Sequence, residues 1–202
     1  MLQATMPSLV VAGPGATNGA IQAEWPDLDF TAAYDDFTKG DFAAASLEIR
    51  RGADFLNTIA ERSAGKIKED LLRSYGELEK LSDDIEKGTV KSPADLRKTF
   101  SRAHQSLAEY YHARLKDSWL KKDTEMAGRE LRSALSNLAR SISWYGAEAE
   151  EKAATVIKEL GELEERLAQK SEWIAEEIDK AIKEIQEELN KLQSQNSTGE
   201  KK

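Results

Sequence analysis

Histidine is the residue type in this sequence most able to do chemistry, and the chain has two, His104 and His112. On one helix they could offer imidazole ligands to a metal or a haem inside a helical bundle. A bundle site of that kind uses a three- or four-residue spacing with acidic partners, as in Glu-x-x-His, and that motif is absent. The pattern therefore favours a buried, hydrogen-bonded His104 and a His112 at a helix interface, and we predict no metal site.

Aromatic side chains gather in the same part of the sequence, at Tyr110, Tyr111, Trp119, Trp144 and Tyr145. Aromatic residues at helical spacing are commonly core or interface anchors. They can also line an apolar ligand pocket between helices. Both interpretations stay open, and if a pocket exists its ligand-binding candidates are His104, Tyr111, His112 and Trp144.

The common catalytic motifs are missing. There is no phosphate-binding Gly-rich loop followed by Lys-Ser or Lys-Thr, no His-Glu-x-x-His motif and no nucleophile elbow. The chain has no Cys, which removes disulfides, thiolate metal ligands and Cys nucleophiles. We therefore expect no enzymatic activity, no catalytic residue and no cofactor.

Composition limits the classes of partner. Hydrophobic residues make up 40% of the chain, which is enough for a packed core, and the formal net charge is −8. An acidic chain is a poor partner for nucleic acid or for an anionic membrane surface. No stretch approaches the roughly 20 apolar residues of a membrane span. We expect a soluble protein whose partners are proteins.

The elements that carry these side chains are related by an internal repeat, because residues 35–57 recur 82 positions later. Seven positions are identical in the two copies, namely Asp35 with Asp117, Lys39 with Lys121, Asp41 with Asp123, Ala45 with Ala127, Glu48 with Glu130, Arg50 with Arg132 and Leu56 with Leu138. Each copy predicts the end of one helix, a tight corner and the start of the next helix.

The corner also has a local resemblance to a known family. Gly40-Asp41-Phe42, followed by Ala45 and Ile49, resembles the turn and second helix of a tetratricopeptide repeat. The offset of 82 residues differs from that family's period of about 34, so we interpret the resemblance as shared helix-turn-helix packing rather than membership. It implies peptide or protein binding and names no binding residue.

Periodicity and helix-breaking residues divide the chain into four parts. We predict an all-α fold of two duplicated three-helix units, at residues 27–88 and 93–192, forming an elongated bundle with a long coiled-coil-like C-terminal helix. Residues 193–202 are expected to be a disordered tail. Residues 1–26 are either a disordered leader or the remnant of a signal peptide, so the protein is either cytoplasmic or extracytoplasmic, as in a periplasm.

The last predicted helix is the most distinctive. Its apolar positions step by four and three residues and form a short coiled-coil seam, at Ile178, Ile182, Ile185, Leu189 and Leu192. We expect this seam to be exposed and to pair with another chain, although docking on its own bundle or on a lipid surface is also open. The predicted function is a non-enzymatic interaction or scaffold protein that self-associates or binds a helical or peptide partner. The alternative is a small-ligand, haem or metal carrier with a pocket near His104, Tyr111 and Trp144.

Overall fold

A computed structural model describes residues 30–90, 92–146 and 175–199, together with residues 154, 155, 158 and 162. The helices with defined bounds in these regions are α1 (Thr31–Lys39), α2 (Phe42–Glu61), α3 (Gly65–Glu86), α4 (Pro93–Leu120), α5 (Thr124–Tyr145) and α6 (Ala175–Gly199). The described residues contain no strand, so the all-α prediction is confirmed for them. The predicted leader, residues 1–26, and most of the part of the predicted long C-terminal helix that precedes α6 lie outside the described residues.

The longest of these helices, α4, is the element on which four of the other five pack. Its 28 residues extend about 42 Å. It begins where the sequence predicts: the Ser92 side chain accepts a hydrogen bond from the amide of Ala94, and Pro93 takes the first helical position. Helices α1, α3, α5 and α6 all contact it. One apolar core cluster includes Phe100 of α4, and a second includes Leu115.

The corner between α1 and α2 is closed by hydrogen bonds from three main-chain amides. Gly40, at φ +86°, donates to the carbonyl of Phe37 at 3.1 Å. The amide of Asp41 donates to the carbonyl of Asp36 at 2.9 Å. The Asp41 carboxylate then accepts from the amide of Ala44 at 3.1 Å and caps α2.

The corner between α4 and α5 has the same bonds 82 residues later. Lys122 donates to the carbonyl of Trp119 at 3.0 Å, and Asp123 to that of Ser118 at 3.0 Å. The Asp123 carboxylate accepts from the amide of Met126 at 3.0 Å. Lys122 has a φ of +59°, and among the described residues it is the one non-glycine residue with a positive φ. The predicted repeat therefore falls on two corners of matching geometry.

Consecutive helices approach one another closely through pairs of buried serines. Between their hydroxyl oxygens the distances are 2.7 Å for Ser46 of α2 with Ser82 of α3, 2.8 Å for Ser74 of α3 with Ser106 of α4, and 3.1 Å for Ser101 of α4 with Ser141 of α5. A serine is small enough to let two helix backbones come together, and its hydroxyl finds a partner on the facing helix. The core is thus joined by hydrogen bonds as well as by apolar contacts.

Helix α6 folds back onto its own chain. Its apolar face is 0–4% exposed and packs in the second core cluster, at Ile178, Ala181, Ile185, Leu189 and Leu192. The expectation of an exposed seam is therefore wrong, because α4 and α5 cover these positions as a partner helix would. The structure also continues α6 to Gly199, beyond Leu192 where the predicted helix ends. No Pro or Gly interrupts the sequence between those two residues.

Candidate functional site

His104 lies in the packed interior between α4 and α5. It is 1% exposed, and its Nδ1 atom is 3.1 Å from Oδ1 of Asn137. The Asn137 amide nitrogen donates to the carbonyl of Ser133 at 2.9 Å, which orients Oδ1 toward the ring. His104 Nδ1 therefore carries the hydrogen and donates it. The ring also meets Phe30 edge-on, with centroids 5.4 Å apart.

Trp144 belongs to the same aromatic cluster. Its ring is 5.2 Å from Phe100 in a T-shaped contact and 5.6 Å from Tyr34. Phe30 stacks on Phe100 at 4.2 Å, which links Trp144 to the ring beside His104. These residues come from α1 and its N-cap Phe30, from α4 and from α5, and the arrangement is a packed set of ring contacts. A ligand binding between His104 and Trp144 would have to displace some of those contacts.

Tyr111 is half-buried and contacts both core clusters. Its ring meets that of Tyr110 in a T-shaped contact at 5.0 Å. Tyr111 therefore lies where the two clusters join along α4. Its role as a ligand-binding residue remains a prediction.

His112 is separate from the His104 cluster and lies at the interface of α4 with α6. It is 4% exposed, and its Nε2 donates to the carbonyl oxygen of Ile182 at 2.8 Å. A carbonyl can only accept, so Nε2 carries the hydrogen. Burial lowers the pKa of His112 below its ordinary 6.5, the bond to Ile182 opposes that effect, and the charge of Lys116 adds to the lowering. This histidine is neutral at pH 7 and holds α6 in register.

Two further polar contacts join α4 to α6 on either side of His112. The indole nitrogen of Trp119 donates to Asp179 at 2.9 Å, and the amide of Gln193 donates to Oε1 of Glu109 at 2.8 Å. The three contacts extend over most of the described length of α6. Sequence reasoning missed the Trp119 and Glu109 contacts because the docking position of α6 had to be known first.

A groove with a volume of about 400 Å³ lies between α3, α4 and α6. Polar side chains that are more than nine-tenths buried line it, at Asp70, Ser74, Gln105 and Ser106. The Ser74–Ser106 hydroxyl pair described above is among them. These groups bond to neighbouring protein atoms, so the buried part of the groove is polar and ordered.

Charged side chains of both signs line the same groove. Asp70 pairs with Lys66 and, at 3.1 Å, with Arg73. Glu77 pairs with Arg102 at 3.1 Å. Lys66, Asp70, Arg73 and Glu77 follow each other at steps of four, three and four residues, which places them on one face of α3. That spacing is visible in the sequence, but charged helix faces are usually solvated, so the spacing alone does not predict a groove.

The third carboxylate of the groove lies where α6 meets α4. Oε1 of Glu109 accepts from the amide of Gln105 at 3.0 Å as well as from Gln193. The last helix therefore supplies one boundary of the groove.

Comparison with protein-family models, with curated proteins and with solved structures gave no match to this chain. In the part of the chain that the structure describes, no three His, Asp or Glu side chains are grouped so as to hold a metal ion. Nor does any described helix combine the length and apolar character needed to cross a bilayer.

Proposed function

We propose that the protein is a non-enzymatic helical interaction protein that self-associates by exchanging α6 between two copies. The observation that carries the proposal is that α6, an amphipathic helix, docks with its apolar face on α4 and α5. Its buried anchors, Ile178, Ala181, Ile185, Leu189 and Leu192, step by three and four residues. That spacing is typical of helix-in-groove recognition.

Exchange requires little new chemistry. If α6 of one copy docks on α4 and α5 of another, it makes the same apolar contacts and the same three polar bonds as it makes within one chain. The closed and exchanged forms then differ mainly in which chain supplies α6 and in the entropy of association. Swapping an identical element in this way is a low-cost route to a dimer.

The proposal includes the duplicated architecture predicted from the sequence. The matching corners at Gly40 and Lys122 support two copies of one helix-turn-helix, with α1–α2 in the first copy and α4–α5 in the second. In this proposal, α6 docks on the helix-turn-helix of the second repeat, α4–α5. A helical segment of another protein with the same apolar spacing would dock on α4–α5 in the same way.

Intermolecular cross-linking between single-cysteine variants tests the exchange, because the natural chain has no Cys. Glu109→Cys protein and Gln193→Cys protein are mixed at equal concentration and treated with a short bismaleimide linker. If α6 exchanges, the mixture gives a covalent heterodimer, because Gln193 of one copy lies beside Glu109 of the other.

Two controls define the result. Leu47 is 52% exposed on α2, outside the α6 contacts, so a mixture of Leu47→Cys and Gln193→Cys proteins should give no comparable heterodimer. The Glu109→Cys/Gln193→Cys double variant should cross-link in every case. Internal cross-linking of the double variant, without heterodimer from the single variants, would show that α6 stays on its own chain and would contradict the proposal.

A further inference from the structure

The groove between α3, α4 and α6 has features that self-association does not use. It combines three cations, on Lys66, Arg73 and Arg102, with three carboxylates, on Asp70, Glu77 and Glu109. We propose that this groove binds a small zwitterionic ligand, a molecule between an amino acid and a dipeptide in size that carries one carboxylate and one ammonium group. The proposal does not depend on exchange of α6.

The cationic part of the groove is suited to a ligand carboxylate. Arg73 uses Nη2 to reach Oδ1 of Asp70 at 3.1 Å. A guanidinium carries five N–H donors in a planar fork, so one ion pair leaves further donors for a second carboxylate. Lys66, which pairs with the other oxygen of Asp70, adds positive charge on the same face of α3. Asp70 thereby holds both cations at the edge of the groove.

The anionic part is suited to an ammonium group. Glu77 uses Oε1 to accept from Arg102, and Glu109 uses Oε1 to accept from both Gln105 and Gln193. Among the described residues, neither carboxylate has its Oε2 atom engaged by a hydrogen bond. Each Oε2 can therefore accept a hydrogen bond from a ligand ammonium.

The balance of charge selects against other ligand classes. An apolar ligand would cover the exposed charged groups of the groove without giving them new partners, which is costly. A ligand of one sign would meet three like charges in the lining. A zwitterion presents each sign to its complement, and a volume of about 400 Å³ lies within the 300–1,000 Å³ typical of small-molecule sites.

The buried polar groups separate this groove from an ordinary solvated surface. Asp70 is 7% exposed and Gln105 is 6% exposed, and both are held by bonds within the protein. The Ser74–Ser106 hydroxyl pair is buried beside them. A ligand would therefore meet a lining whose buried part is already ordered, which reduces the entropy lost on binding.

Isothermal titration calorimetry on the full chain tests the site. Glycine, glutamine and glycylglycine serve as zwitterionic probes, while acetate and ethylamine each carry one of the two charges. We expect at least one zwitterion to bind with a dissociation constant of about 1 mM or tighter, and acetate and ethylamine to bind at least about tenfold more weakly.

Substitutions assign the binding to the groove. Arg73→Gln and Glu109→Gln should each weaken zwitterion binding by about tenfold or more, because each removes one charged ligand contact. Lys98 is exposed on α4 outside the groove, so Lys98→Gln is the matched control and should leave binding unchanged. Circular dichroism confirms that each variant is folded. Absence of zwitterion binding at millimolar concentration, equal binding of acetate or ethylamine, or unchanged binding in both groove variants would overturn the proposal.

Discussion

The Nε2 atom of His112 donates a 2.8 Å hydrogen bond to the main-chain carbonyl of Ile182, and this bond joins α4 to α6. It requires a hydrogen on Nε2, and burial keeps the ring neutral at pH 7. The bond links the two helices on which the proposed exchange depends. A charged ring would keep this bond but would bury a positive charge near Lys116, so conditions that charge His112 should weaken the docking of α6.

Stability should fall as the pH drops below about 6.5. The pKa of His112 is lower in the folded state than its ordinary 6.5, so between those two values the unfolded chain binds more protons. The stabilisation is complete above about 6.5 and is lost as the pH falls toward the lowered pKa. Urea unfolding at pH 7.5 and pH 5.5 measures the difference. His112→Gln can still donate to Ile182 but cannot titrate, so it should reduce the difference in unfolding free energy between the two pH values. An unchanged difference would contradict the assignment to His112.

Both corners predict that glycine is favoured at the residue with a positive φ, Gly40 in the first and Lys122 in the second. Lys122 has a φ of +59°, so Lys122→Gly should stabilise the protein by about 0.5–1 kcal/mol. Lys121 is in the ordinary right-handed conformation, so Lys121→Gly should destabilise it slightly. At the first corner, Gly40→Ala should cost about 1 kcal/mol, because a Cβ there meets no neighbour and the backbone alone sets the cost. Urea denaturation gives all three values, and a destabilising Lys122→Gly would show that the corners are not equivalent.

A buried carboxylate distinguishes the second corner region from the first. Glu130 is 4% exposed and accepts from Arg114 and from Ser118, both at 2.6 Å. Glu130→Ala should cost about 2–3 kcal/mol, a value below that of a fully buried pair because the side chain of Arg114 is 41% exposed. Glu48, the repeat equivalent, pairs with the exposed Arg51, and Glu48→Ala should cost less than about 1 kcal/mol. Equal losses would mean that Glu130 does not act as a buried ion pair.

The serine contacts predict that size matters more than the lost hydroxyl. Ser101 donates to the carbonyl of Ser141 at 2.8 Å, and Ser141 donates to the carbonyl of Ser101 at 2.9 Å. Ser101→Ala should cost about 1 kcal/mol, since the second bond survives. Ser101→Val should cost about 1–3 kcal/mol more, because two extra methyl groups must fit between α4 and α5. Thermal unfolding should show a smaller loss of stability for Ser101→Ala than for Ser101→Val. The half-buried Thr99 supplies the control, Thr99→Val.

Local signals predicted the helices better than their contacts. Ser92 and Pro93 located the start of α4, and the repeat located both corners, because capping and turn formation depend on neighbouring residues. The seam at Ile178–Leu192 was recognised as apolar, but the same spacing suits a second chain and the protein's own α4 and α5. Likewise, the face formed by Lys66, Asp70, Arg73 and Glu77 becomes a groove only when α4 and α6 supply its other sides.

Native mass spectrometry of an equal mixture of unlabelled and uniformly ¹⁵N-labelled protein shows whether two copies associate. We expect dimers, including a species with one light and one heavy chain, at micromolar concentration. Substituting charge into the docking face, as in Ile185→Glu, should abolish them. Monomers alone for the natural sequence would contradict self-association through α6.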